Sequence, residues 1–212
     1  MCQDVRVQTR TYAGATAEDR RGARQVQLIR AALDLLAAEG VAGLTVRKVA
    51  AAAGVSPRYV YESFTNLEDL RVQAFDRAAA EVAAEGLAAV AAADPDLSSQ
   101  LAALLCALNR FASDEPAKVR LLLTDAFGDP ALAVRRQQMT EAFATGFALY
   151  VRVHLPDSVP DRRVALTARM LVGATAETFT ARIQGAFPYP DDELLDDMLA
   201  LFLGAIRALA DQ

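Results

Sequence analysis

Histidine occurs once in this 212-residue sequence, at position 154, and cysteine twice, at positions 2 and 106. So few thiols and imidazoles argue against both a zinc site and a disulfide framework, and no metal or cofactor is expected. Tryptophan is absent, and aromatic residues make up only 7% of the chain. There is no HExxH, GxSxG, GxGxxG or phosphate-loop pattern, so no catalytic residue is assigned and the chain is not read as an enzyme. The longest uncharged run, residues 97–109, is 13 residues long and part polar, so no membrane span and no membrane partner are expected. No charged-then-apolar leader opens the chain. These absences leave a reduced, cytoplasmic, soluble protein as the expectation.

What is abundant is apolar and helix-forming. Hydrophobic residues reach 53%, much of it Ala and Leu, against 11 glycines. Such a composition points to helices. The net charge of −5 hides an asymmetry. Residues 20–60 carry seven Arg or Lys (Arg20, Arg21, Arg24, Arg30, Arg47, Lys48, Arg58) against Asp34 and Glu39. Residues 76–212 carry 12 basic and 19 acidic residues. A basic N-terminal third on an acidic body is the layout of a chain with one anion-facing module.

Residues 1–20 are polar and without period, and read as a disordered arm. Its arginines (Arg6, Arg10, Arg20, Arg21) either float or lie on a polyanion. A first helix is predicted over 22–39, with Val26, Ile29, Leu33 and Leu36 as its apolar stripe and Gly40 as its stop. Thr45 can cap a second helix from Val46, which Gly54 ends. Ser56-Pro57 starts a short third helix over 57–63. In the stretch TNLED, Thr65 or Asn66 caps a long helix over 66–92, with Glu68 or Asp69 as the reciprocal carboxylate. Prolines divide the rest into helices over 97–113, 116–127, 130–154, 161–185 and 191–210. The acidic cluster Asp191-Asp192-Glu193 falls in a helix's first turn, where the macrodipole favours it. The fold class is all-α with about nine helices. The expected domains are the arm at 1–20, a three-helix module at 21–66 and a helical body at 67–212.

Two helices joined by a three-residue turn with Gly, the second short and capped by Ser-Pro, match a helix-turn-helix. A recognition helix must enter a groove about 12 Å wide, so it is short and exposed at its leading end. Its outward residues are then Pro57, Arg58, Tyr59 and Tyr61, while Val60 and Phe64 face inward. At this point LTVRKVAAAAGVSPRYVYESFTNLEDL, residues 44–70, resembles the signature of the TetR family of transcriptional regulators. Thr45, the run from Val46 to Ala50, Gly54-Val55-Ser56, Tyr61, Phe64 and Leu70 carry the match, and LIRAALDLLAAEGVAGLT fits the family's first helix. The resemblance is close over 22–75; beyond that only size and helical character agree.

Geometry and resemblance together suggest roles for these side chains. Thr45 and Tyr61 would donate to phosphate, with Lys48 adding charge to that backbone contact. Arg47, Arg58 and Tyr59 would reach base edges, and Ser56 and Pro57 complete the DNA-facing set. Plainer alternatives stay open here: Tyr61 at the core edge, Arg47 and Lys48 on an ordinary solvated face, and Tyr59 merely packed. Leu67 departs from the pattern, since the family commonly has a phosphate-binding Lys there.

The resemblance implies that the later helices bind a ligand and dimerise. The small residues of 161–185 and the wide apolar stripe of 191–210 suggest a homodimer bundle. Its candidate residues are Leu171, Gly173, Phe179 and Leu195, followed by Met198, Leu199, Phe202 and Ile206. Candidate ligand contacts are Cys106, Asn109, Arg110 and Phe127, with the stripe Met139, Phe143 and Phe147. Such a lining favours a small, apolar effector. The expected function is a ligand-responsive repressor that binds a palindromic double-stranded DNA operator as a homodimer. The alternatives are a dimeric helical adaptor without DNA binding and a small all-α enzyme.

Overall fold

The computed structural model describes residues 17–210, among which nine α-helices and no strand occur. In order they are α1 (Ala17–Gly43), α2 (Val46–Ala52), α3 (Pro57–Ser63), α4 (Leu67–Ala92) and α5 (Leu97–Asp114). Then follow α6 (Pro116–Leu123), a 3-10 turn (Asp125–Gly128), α7 (Pro130–Arg152), α8 (Asp161–Ile183) and α9 (Asp191–Ala210). The all-α architecture read from the sequence is the one found.

Short-range chemistry explains the boundaries. The Thr45 hydroxyl accepts from the Lys48 amide at 3.3 Å and starts α2. Gly54 has φ of 64°, a left-handed conformation that an L side chain rarely adopts. Its N–H reaches the Ala51 carbonyl while that of Val55 reaches Ala50, the paired bonds of a Schellman stop. Ser56 caps α3 with Pro57 at its first position. For α4 the cap is Asn66: its Oδ1 accepts from the Asp69 amide at 2.8 Å, and Asp69 Oδ2 accepts from the Thr65 amide at 3.0 Å.

Three expectations need correction. The arm over 1–20, with Arg6, Arg10 and Cys2, lies outside the described residues save for its end, where α1 already begins at Ala17 and takes in Arg20 and Arg21. Val26 is 60% exposed; the buried stripe of α1 runs through Leu28, Ala32, Leu33 and Leu36. The expected helix over 116–127 stops at Leu123, and its end tightens into the 3-10 turn before Asp129-Pro130.

Side chains gather in two apolar clusters. The first joins α1–α4 through Leu28, Leu36, Val49, Phe64, Leu70 and Phe75, and extends to Leu121 and Leu122 of α6 and Leu132 of α7. The core of the N-terminal module therefore crosses the expected boundary at residue 66. The second joins α5, α7, α8 and α9 through Leu101, Leu105, Phe147, Leu171, Phe202 and Ile206. Polar bridges hold α4 against α6 and α7. Arg71 pairs with the buried Asp129 at 3.0 Å, and Lys118 with Glu81 at 2.9 Å. Arg135 grips Asp76 through two guanidinium nitrogens. From α6, Arg120 also donates to the Ala37 carbonyl of α1 at 2.7 Å.

Candidate functional site

Helix α3 stands at the surface on two anchors. Val60 and Phe64 are 3% and 4% exposed and sink into the first cluster. The alternate face carries Pro57, Arg58, Tyr59 and Tyr61 into solvent. The structure brings Thr45, Arg47 and Lys48 to exposed positions on the adjoining end of α2. Ser56 is exposed as well, with its hydroxyl engaged as the α3 cap. All eight residues read as DNA-facing are accessible.

Their electrostatics add what the sequence reading missed. Arg58 Nε donates to Glu62 Oε1 at 2.6 Å, one turn along the same helix. That hydrogen bond and the Glu62 charge raise the guanidinium's already high pKa, so it stays cationic. Lys48 is paired with Glu39 of α1. Both cations are thus engaged by a carboxylate of the same chain. Arg47 has no ion-pair partner among the described residues. Tyr59 lies under the guanidinium of Arg24, with Cζ 4.9 Å from the ring centroid. This stacking fixes a ring that the sequence left as either packed or reaching outward. The i,i+4 spacing of Arg58 and Glu62 was a readable signal; the partners of Lys48 and Tyr59 come from α1 and were not. Leu67 packs against the first cluster, half-buried.

A second feature lies in the body. Helices α4–α9 surround a cavity of about 370 Å³. Helix α4 offers Val82, Gly86 and Val90 to it, α5 offers Leu104 and Phe111, and α6 offers Val119 and Leu122. Of the ligand candidates, Met139, Phe143 and Phe147 of α7 line it. The other ligand candidates lie elsewhere. Cys106 and Arg110 are exposed, because each follows a cavity-lining leucine, Leu104 or Leu108, by two residues and so sits about 160° around α5 from it. Asn109 accepts from Arg182 at 2.6 Å outside the wall. Phe127 is 64% exposed under the guanidinium of Arg136, 4.0 Å from its ring centroid.

The dimer candidates also need revision. Leu171, Phe179, Met198, Phe202 and Ile206 are buried within the single chain, and Phe179 and Phe202 line the cavity. Phe202 meets Phe147 edge-on, with ring centroids 5.8 Å apart. The wide stripe of α9 already packs on α5, α7 and α8 within the single chain. Leu195, Leu199 and Gly173 are half-buried. The large apolar side chains left outside on these two helices are Leu166, Met170 and Leu201.

A short exposed helix, set by a glycine turn on a second short helix and rooted in a shared core, is the geometry of a helix-turn-helix. Residues 28–74 match the family model for bacterial regulatory proteins of the tetR family. That match covers the three-helix head and the start of α4, so this part of the chain is similar to the DNA-binding domain of that family.

No curated protein matches the sequence. Solved structures share the fold. A tetR-family transcriptional regulator from Streptomyces coelicolor superposes with a TM-score of 0.70 at 20% identity, over 90% of this chain and 83% of its own. A transcriptional regulator from Rhodococcus sp. Rha1 gives 0.68 at 22% identity, over 89% and 98%. The multidrug binding protein EbrR, complexed with malachite green, gives 0.65 at 25% identity, over 86% and 97%. No helix among the described residues is long and apolar enough to cross a membrane.

Proposed function

We propose that the chain is a ligand-responsive repressor that binds a palindromic operator as a homodimer and is released by a small molecule held in the α4–α9 cavity. In this reading Arg47, Arg58 and Tyr59 reach base edges, and Thr45, Lys48 and Tyr61 hold phosphates. Ser56 and Pro57 lead the recognition helix into the groove. It acts by binding and not by turnover, in the cytoplasm where its operator is. The observation that supports it best is physical continuity. Helices α4 and α6 line the cavity, and the same two helices contribute Leu70, Phe75, Leu121 and Leu122 to the core on which α3 stands. A ligand that shifts α4 or α6 must also move the recognition helix, and a few kcal/mol of preference for one spacing suffices. A solved relative of this fold is a multidrug binding protein that holds malachite green, which agrees with an effector site in this body.

The dimer face proposed is the outward side of α8 and α9, where Leu166, Met170 and Leu201 are exposed. Two recognition helices must lie about 34–36 Å apart to enter successive major grooves, and a fixed dimer sets that distance. Electrophoretic shift with the intergenic DNA beside the gene tests the whole reading. Retardation by a dimer, lost in Met170→Asp as the protein sediments as a monomer, is the expected result. Failure to retard any fragment at low salt would instead support a helical adaptor.

A further inference from the structure

The chemistry of the cavity wall restricts what can occupy it. Among the described residues no carboxylate, guanidinium, ammonium or imidazole lines it; the polar side chains in the wall are Thr140, Thr175 and Tyr150. Each of these has already spent its proton inside the protein. Thr140 donates to the Arg136 carbonyl at 3.0 Å and Thr175 to the Leu171 carbonyl at 2.9 Å, both one turn back along their helices. Tyr150 donates to Gln100 Oε1 at 2.7 Å. Burial, and then the charge of Asp96, raise the Tyr150 pKa, so the phenol stays neutral. Asp96 itself is committed to capping α5, where it accepts from the Ser99 amide at 2.9 Å. His154 meets Tyr150 edge-on at 5.3 Å but is exposed and outside the wall. On the outer surface of α7 and α8, Arg169 pairs with Glu141.

We infer that the effector is an electrically neutral, apolar molecule recognised by shape and burial, and that the cavity discriminates against both cationic and anionic amphiphiles of the same length. The inference rests on the reading of this cavity as the effector site. A charged group carried past the open rim at Leu87, Ala142 and Gly146 would lose hydration and meet no counter-charge among the lining residues. An uncharged chain or ring system loses little and gains contact with Phe111, Phe143, Phe147 and Phe179. Gly146 and Ala142 set the room available. A Cβ added at Gly146 meets nothing within 4 Å, so a side chain there starts without displacing a neighbour.

The test uses the full chain and a neutral fluorescent probe, N-phenyl-1-naphthylamine, displaced by decanol, decanoate or decyltrimethylammonium below their micelle concentrations. The three competitors share one alkyl chain and differ only in head-group charge. Decanol should displace the probe at a concentration at least about tenfold lower than either ion. Gly146→Leu should weaken probe binding about tenfold with an unchanged melting temperature. Ala142→Asp, at an exposed rim position, should shift the preference toward decyltrimethylammonium. Equal or tighter displacement by either ion in the wild-type protein overturns the inference, as does absence of probe binding or probe binding that ignores Gly146→Leu. Operator release is scored separately. Decanol that displaces the probe but leaves DNA bound refutes the regulatory reading while the ligand class stands. Decyltrimethylammonium that releases DNA at a lower concentration than decanol refutes the ligand class while the regulatory reading stands.

Discussion

The head and the body bury similar side chains but fill space differently. Around α1–α4, Leu28, Val49, Leu70 and Phe75 are fully enclosed, and the exposed α3 is held by two anchors and a sharp glycine turn. Around α5–α9, the core side chains Leu105, Phe147 and Phe202 line a cavity of about 370 Å³ that also reaches the exposed Leu87 and Gly146. A filled core fixes geometry, because packed interiors transmit displacement and do not absorb it. A core with a void can be changed by filling it. The long helix α4 belongs to both, with Leu70 and Phe75 at its rigid end and Val82, Gly86 and Val90 at its hollow end. Gly86 lets α5 come close there; an added Cβ would stand 2.9 Å from Leu104 Cδ1. The division of labour is therefore geometric: the head supplies a fixed reading surface, and the body supplies the variable that positions it.

The sharpest way to break this comparison is to delete one phenyl ring from each core. Phe75→Ala should cost about 3–5 kcal/mol in urea unfolding, because its neighbours have no void to relax into. Phe147→Ala should cost less than half of that, since part of its surface already faces the cavity and lacks partner atoms. Equal losses would mean that the cavity collapses in solution.

Next in size come effects on DNA. Arg58→Ala and Tyr59→Ala should each cost about 1–3 kcal/mol on the operator and relax base preference at one position per half-site. Gly146→Leu should leave the DNA affinity of the ligand-free protein within about 0.5 kcal/mol while altering induction. A Gly146→Leu protein that fails to bind DNA would show that the two regions are not separable in this way.

These contrasts also explain what could be read from the residues alone. The caps of α2, α3 and α4 act over two or three positions, Thr45 to Lys48, Ser56 to Arg58 and Asn66 to Asp69, so a linear sequence displays them. The inward pair Val60 and Phe64 follows from helical period. The body is different. Whether the wide stripe of α9 meets a second copy or its own chain depends on which helices surround it. Phe202 proved to meet Phe147, 55 positions earlier in sequence. Cys106 stands beside the buried Leu105 in sequence but points away from the cavity, because one residue turns a helix by about 100°. Walls contributed by α4 and α6 were missed for the same reason, although the small residues Ala83 and Gly86 hinted at close packing.

A smaller effect concerns position 67. Leu67 packs against the head core, so Leu67→Lys exchanges apolar burial for a phosphate contact. The DNA affinity should gain about one charge of salt dependence per protomer, with a slightly lower melting temperature. A gain in affinity without any change in salt slope would contradict the phosphate contact.

The smallest effect is acid sensitivity of the α4 cap. Hydrogen bonds from Gln73 and Thr65 hold the Asp69 pKa below its ordinary value. A depressed folded pKa contributes stability that is fully present above the unfolded value, about 3.9 for Asp, and is lost as the pH falls through the folded value. Asp69→Asn should therefore lower the melting temperature at neutral pH and flatten its fall below about pH 4. A fall of unchanged steepness would remove Asp69 from the acid response.

The central claim is that cavity occupancy and DNA binding exclude one another through α4 and α6. Calorimetric titration of decanol into the free protein and into the protein saturated with its operator tests it most directly. Decanol should bind the DNA complex more weakly, by the same factor, within about 5–150-fold, by which decanol weakens operator affinity. Equal decanol affinity in the free and DNA-bound protein would contradict it.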